Sequence, residues 1–148
     1  MRRAAWTLLL WAGGSLSAEA PCCRLFGFDA APILGADAAV CGKILDADDR
    51  DAAESETRED RRRATACALE AQAQGRAFVY TYRLLVEPDI DLVHQAVSGM
   101  HGERLLLRMG LYHGENIRTV ETCATLIVQA DGQVAKQGCR TRQGILDP

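Results

Sequence analysis

Three runs of alternating residues follow one another between positions 78 and 112, separated only by short breaks. In the first, Phe78, Tyr80, Tyr82, Leu84 and Val86 fall on one side, and Val79, Thr81, Arg83 and Leu85 on the other. Pro88-Asp89 ends it. The second run goes from Ile90 to Val97 and stops at Gly99-Met100-His101-Gly102. The third extends from about Arg104 to Tyr112, with Leu105, Leu107, Met109 and Leu111 on one face; Gly114-Glu115-Asn116 then reads as a turn. A period of two is the signature of a strand. Connections this short suit antiparallel neighbours, because a parallel pair needs a crossover of a dozen or more residues. The region therefore predicts an antiparallel β-meander.

A further hairpin carries its own register. Residues 123–129 and 133–139 flank Ala130-Asp131-Gly132, and Asp-Gly between apolar-rich runs is a strong hairpin signal. A three-residue loop with Gly132 in the left-handed region sets Gln129 opposite Gln133. Counting outward, Cys123 then faces Cys139. A two-residue Asp131-Gly132 turn would offset the cysteines by one, so the cysteines favour the three-residue loop.

One strong helix precedes the strands. Thr57 is its expected N-cap, with Asp60 three residues on. Its body runs from Arg58 to Gln74, and Gly75 stands where a C′ glycine belongs. Ala64, Cys67, Ala68 and Ala71 form the apolar face, widened by Ala66, Leu69 and Ala73, while Arg61, Arg62 and Gln72 are expected outside. Such small side chains let a helix axis come close to a sheet, and Cys67 could bridge from this face to the preceding segment. Helix followed by meander gives an α+β fold class: one main helix packed on an antiparallel β-meander in two layers, disulfide-stabilised, with an irregular N-terminal arm.

The chain opens with Arg2-Arg3, a short apolar core from Ala4 to Ala12, and small residues up to Ala18 and Ala20. These are the three parts of a secretory signal peptide, and the core is shorter than the roughly 20 apolar residues a bilayer span needs. Residues 1–18 are read as the leader, cleaved between 17 and 20; Pro21 disfavours a cut after Ala20, and Glu19-Ala20-Pro21 before Cys22 is not a lipobox. Loss of Arg2 and Arg3 takes the 17 basic residues to 15, against 20 acidic, a net charge of −5. That balance argues against nucleic acid, which calls for a basic stripe; no membrane insertion is expected after cleavage. The bias to arginine and alanine is that of a GC-rich bacterial coding sequence. Residues 19–56 are a cysteine-containing arm and acidic segment, read as one domain with 57–148.

All six cysteines, Cys22, Cys23, Cys41, Cys67, Cys123 and Cys139, follow the leader, and an even count in an exported chain reads as disulfides. No C-x-x-C is present; Cys22-Cys23 leaves a vicinal redox pair as a further reading. The acidic run from Asp46 to Asp60 begins like a calcium loop but has Arg50 at its fifth position, Asp51 at its sixth and Thr57 at its twelfth. It reads as a solvated entry to the helix, whose N-terminus favours acids. Arg61-Arg62-Arg63 reads as a solvated basic turn.

No catalytic motif emerges. Val97-Ser98-Gly99 lacks the first glycine of G-x-S-x-G, and there is no phosphate loop, dinucleotide fingerprint or cofactor motif. The leading expectation is an exported binding domain whose partner is another envelope or extracellular protein. Its contact surface is the sheet face away from the helix, with Tyr80, Tyr82, Arg83, Arg108 and Tyr112, since Tyr and Arg are favoured at interfaces. The alternative is a small extracytoplasmic metal protein or enzyme using Asp89, Asp91, His94 and His101.

The leader generates a direct test. Exported protein should begin near Glu19 on N-terminal sequencing and lack tryptophan fluorescence, because Trp6 and Trp11 are both in the leader. Finding Trp6 on protein recovered outside the cytoplasm contradicts the assignment.

Overall fold

The computed structural model describes residues 24–25, 28–43, 56–87 and 90–142. Residues 1–18, Cys22, Cys23, Asp89 and most of the acidic run lie outside them. In chain order the described elements are β1 (Arg24–Leu25), β2 (Phe28–Asp29), α1 (Ala31–Leu34), β3 (Ala39–Cys41), α2 (Arg58–Ala73), β4 (Phe78–Glu87), β5 (Ile90–Ser98), β6 (Arg104–Tyr112), β7 (Glu115–Thr122), β8 (Thr125–Val128), β9 (Val134–Gln137) and β10 (Arg140–Thr141). A six-stranded sheet runs β10-β7-β6-β5-β4-β3, and β1-β2 and β8-β9 form separate two-stranded pairs. The class is α+β with a mostly antiparallel sheet.

Helix α2 starts as its sequence predicts. The Thr57 hydroxyl accepts a hydrogen bond from the Asp60 amide, and the Asp60 carboxylate accepts one from the Thr57 amide, both at 3.1 Å. This reciprocal capping box satisfies two of the backbone donors that a helix start leaves unpaired. Gly75, at φ +65°, follows the C-cap Gln74. Ala64, Ala68 and Ala71 are buried against Phe78, Tyr80, Ala96 and Leu106. Ala66 and Ala73 are exposed, however, and do not widen the face. Its other flank does so instead. Thr65 is buried, and Gln72 turns inward, donating to the Val128 carbonyl at 3.2 Å and accepting from the Val128 amide at 3.0 Å. Gln72 thus holds strand β8 as a neighbouring strand would.

The β8–β9 hairpin has the three-residue loop. Val128 pairs with Val134 and Thr125 with Gln137; the Gln129 amide reaches the Gln133 carbonyl at 2.8 Å. Gly132 lies at φ +81°, and a disulfide joins Cys123 to Cys139.

Three expectations change. First, the sheet is not a pure meander, because β3 pairs with β4 in parallel. Helix α2 lies between them in sequence and supplies the crossover that parallel strands require. The Cys41–Cys67 disulfide pins β3 to the middle of that helix. Second, the arm is not merely irregular. Leu25, Ala30 and Leu34 pack on Val79, Val93, Val97, Leu105 and Leu107, covering the sheet face opposite α2. The domain therefore has three layers instead of two. Third, Glu115 and Asn116 do not turn the chain. The turn is His113-Gly114, at φ +48° and +81°, with Tyr112 pairing with Glu115. Two successive left-handed residues match the twist of a two-residue hairpin, and Glu115 opens β7, a strand that the alternating pattern had not marked.

Steric room beneath α2 is limited, because its buried face packs on large side chains of the sheet. Ala68 is fully buried. Ala68→Leu should lower stability by about 1–3 kcal/mol through overpacking, whereas Ala66→Leu and Arg62→Ala should stay within about 0.5 kcal/mol of wild type. Thermal melts of the three variants check the orientation of the helix.

Candidate functional site

The register of the sheet decides which polar residues meet. Tyr82 pairs with His94, His94 with Arg108, and Arg108 with Thr119, so four adjacent strands contribute one row to the α2 side of the sheet. Directly paired residues carry Cβ atoms about 4.5–5.5 Å apart. Glu121, two residues beyond Thr119, shares that face. Its carboxylate accepts a hydrogen bond from Arg108 and lies 3.4 Å from the Lys136 ammonium on β9.

The row begins as an aromatic ladder. The Tyr80 and Tyr82 rings stack with centroids 5.4 Å apart, and the His94 ring meets Tyr82 edge-on at 4.9 Å. Tyr82 Oη lies 2.9 Å from His94 Nδ1. Burial raises the Tyr82 pKa, so the phenol keeps its hydrogen. Burial first, then the Arg108 and Lys136 charges, lowers that of His94 to about 3. The imidazole is therefore neutral near pH 7. We assign the phenolic hydrogen to Nδ1, which leaves the ring hydrogen on Nε2.

Three polar atoms of this row are buried and have no hydrogen-bond partner among the described residues: His94 Nε2, Arg108 Nε and Thr119 Oγ1. Buried polar groups are paired in the large majority of cases, and each exception calls for an explanation. Here three fall on consecutive partners across β5, β6 and β7. Gln95 Oε1 is a fourth such atom; it belongs to the alternate position of β5 and the opposite face.

The expected contact surface is not assembled. Tyr80 and Tyr82 are buried, on the face that α2 covers. Arg83 adjoins Tyr82 in β4, and successive strand residues point to opposite faces. Tyr112 is exposed at the end of β6, its ring against that of His113. Only Tyr82 and Arg108 of that set share the polar row. The expected metal set also separates. His94 is buried within β5, whereas His101 is exposed in the β5–β6 turn. Four residues of extended strand, about 13 Å, lie between His94 and the end of β5 at Ser98. Asp89 lies outside the described residues, and position 91 is of opposite parity to position 94 in β5.

Glu121, Cys123 and Cys139 place potential ligand atoms within 4.8 Å of one another. The disulfide binds both sulfurs, leaving no thiolate to coordinate a metal, and Glu121 is held by Arg108 and Lys136. A separate cleft of about 330 Å³ lies over the Cys41–Cys67 disulfide, between β3 and the first half of α2. Its Arg63 pairs with its Asp60 at 2.6 Å, and burial raises the pKa of its Glu56.

Thr119, Glu121 and Lys136 have no motif-level signal in the sequence. They become visible only through the pairing of β7 and the docking of β9. No protein-family model matches the chain, and comparison with curated proteins and with solved structures likewise finds no match.

The depressed His94 pKa has a signed consequence. Between pH 6.5 and about 3 the unfolded chain takes up a proton that the folded protein refuses. This contribution to stability is full above pH 6.5 and falls with acidification, at up to about 1.4 kcal/mol per pH unit. His94→Gln offers Tyr82 an acceptor without titrating. Urea unfolding at pH 7 and pH 4 should show wild type losing up to about 3 kcal/mol more than this variant; equal losses contradict the assignment.

Proposed function

We propose that this protein is an exported, disulfide-stapled binding domain that works outside the cytoplasm and engages its ligand or envelope partner where Arg108, the partly exposed member of the Tyr82–His94–Arg108–Thr119 row, reaches the surface. The single observation that carries the reading is the unused hydrogen-bonding capacity of three consecutive row members. Leaving such a group unpaired costs about 1–3 kcal/mol, a cost that an ordered water or a bound molecule would remove.

Acid–base behaviour favours binding over catalysis. A general base works best with a pKa near the operating pH. His94, at about 3, is far below it, and the raised pKa of Tyr82 keeps its hydroxyl protonated. Tyr82 and His94 therefore keep one protonation state around neutral pH. The charged-apolar-small leader and the two described disulfides support an oxidising, extracytoplasmic setting.

Native mass spectrometry of protein isolated gently from the envelope fraction tests the proposal. Wild type should have the mass of the leaderless, oxidised chain and carry an additional bound mass. Thr119→Val, which keeps the shape and removes one hydroxyl, should lose much of that mass. Retention of the leader, or the same bound mass in both proteins, overturns the proposal.

A further inference from the structure

We propose that a cleft between the C-terminal end of α2 and strand β8 takes the carboxyl end of an extended peptide, which adds one paired residue to β8 and sets its terminal carboxylate on Arg104. The cleft has a volume of about 430 Å³, within the range of ligand sites. Gln72, Arg76, Arg104 and residues 124–127 are among its walls. No member of the polar row lines it, so it is a second site, independent of the first.

The vacancy is in the backbone edge of β8. This strand pairs with β9 on one side and has no strand on the other. In an antiparallel pair, the backbone groups of alternate residues point away from the partner. Val128 is such a residue, and its N–H and C=O both meet the Gln72 side chain. Leu126, two residues back, is the next. Before it comes Ala124, whose carbonyl lies 3.5 Å from Arg104 Nη1. Side chains thus occupy the edge on either side of Leu126, while the Leu126 N–H and C=O have no partner among the described residues. Backbone groups away from bulk water are nearly always paired. A donor and an acceptor carried together on one residue match one residue of a neighbouring strand. The Gln72 amide already plays that part at Val128.

The flanking side chains define the occupant. Gln72 blocks the register at Val128, so a strand cannot run the length of β8 and a chain end has to enter instead. Toward Ala124, two residues of strand or about 7 Å from Leu126, stands Arg104. Its Nη1 donates to the Gly102 and Ala124 carbonyls. Its Nε and Nη2 have no partner among the described residues, and that edge of a guanidinium takes a carboxylate through two parallel hydrogen bonds. Arg76 adds a second positive charge, and no Asp or Glu lines the cleft. Glu103, next to Arg104, accepts from the His101 amide at 2.9 Å instead. A peptide running antiparallel to β8, with its penultimate residue opposite Leu126, directs its terminal carboxylate toward Arg104. Met100 and Ile127, 52% and 46% exposed, give its side chains apolar contact. Strand addition and carboxylate capture are both established modes of peptide recognition.

Nitrogen-resolved NMR of the oxidised protein tests the site with three probes: N-acetyl-Ser-Val-Leu with a free carboxylate, the same peptide amidated, and the free acid N-methylated at its valine. The free acid should bind saturably, move the Leu126 amide and slow its hydrogen exchange, while Val128, already held by Gln72, changes little. Amidation and N-methylation should each weaken binding about tenfold or more, as expected for a lost hydrogen bond to a charged group or an unpaired backbone group. Arg76→Gln should weaken the free acid, and Arg104→Gln should make acid and amide bind alike. Should Arg104→Gln fail to fold, the three probes on wild type still decide. Equal binding of acid and amide overturns the carboxylate capture. Equal binding of the N-methylated peptide, or sodium acetate moving the same resonances with the same affinity, overturns the strand addition. No shift at Leu126 with any probe overturns the site.

Discussion

The Tyr80 hydroxyl is where the layers on the α2 side of the domain are tied together. Its ring is fully buried in β4, at the centre of the cluster beneath α2. The hydroxyl donates to the Gly132 carbonyl at 2.9 Å and lies 3.0 Å from Thr65 Oγ1 on the helix. One polar atom thus joins sheet, helix and hairpin turn. A buried hydroxyl without partners costs several kcal/mol, so these elements have to dock in concert. Gly132 completes the junction. A Cβ there would come within 2.9 Å of Thr65 Oγ1 and 3.1 Å of Tyr80 Oη. The left-handed backbone and the closeness of these hydroxyls therefore require glycine for separate reasons.

Two disulfides reinforce contacts that this docking creates. Cys41–Cys67 spans 26 residues and closes the link from β3 into α2, while Cys123–Cys139 spans 16 and closes the hairpin. In the entropic account, loops of this size contribute about 3 kcal/mol each by restricting the unfolded chain. Both unite segments that already meet through backbone pairing or helix packing. The alanine face of α2 fits the same picture. Large rings from Phe78, Tyr80 and Tyr82 fill the layer from the sheet side, leaving the helix little room for more than methyl groups.

That division of space also creates the polar row. Toward the centre of the sheet, α2 and the hairpin bury aromatic and aliphatic side chains. Further along β5 and β6, the same face carries His94 and Arg108, with Glu121 and Lys136 beside them. Stacking of Tyr80, Tyr82 and His94 continues the apolar core into this region. Desolvation consequently reaches the imidazole and holds it neutral.

Much of this architecture was legible locally. Alternation marked β4, β5 and β6, Thr57 and Asp60 marked the helix start, and Asp131-Gly132 with two equidistant cysteines specified the register of the last hairpin. Each signal depends on residues close in the chain, where steric limits and hydrogen bonding act over a few bonds. Other features depended on what the segments meet. The parallel pairing of β3 requires the helix crossover, the buried role of the arm requires the second sheet face, and the inward turn of Gln72 requires Val128. Strand β7 has a weak alternating pattern, and a histidine at the first turn position concealed its start. By itself, then, the sequence determined the local elements and the hairpin register. Tertiary structure alone decided which face of the sheet α2 covers, and so whether Tyr80 and Tyr82 are surface or core. It also brought His94, Arg108 and Thr119 into one row, because alternation separates two faces but cannot say what covers either one.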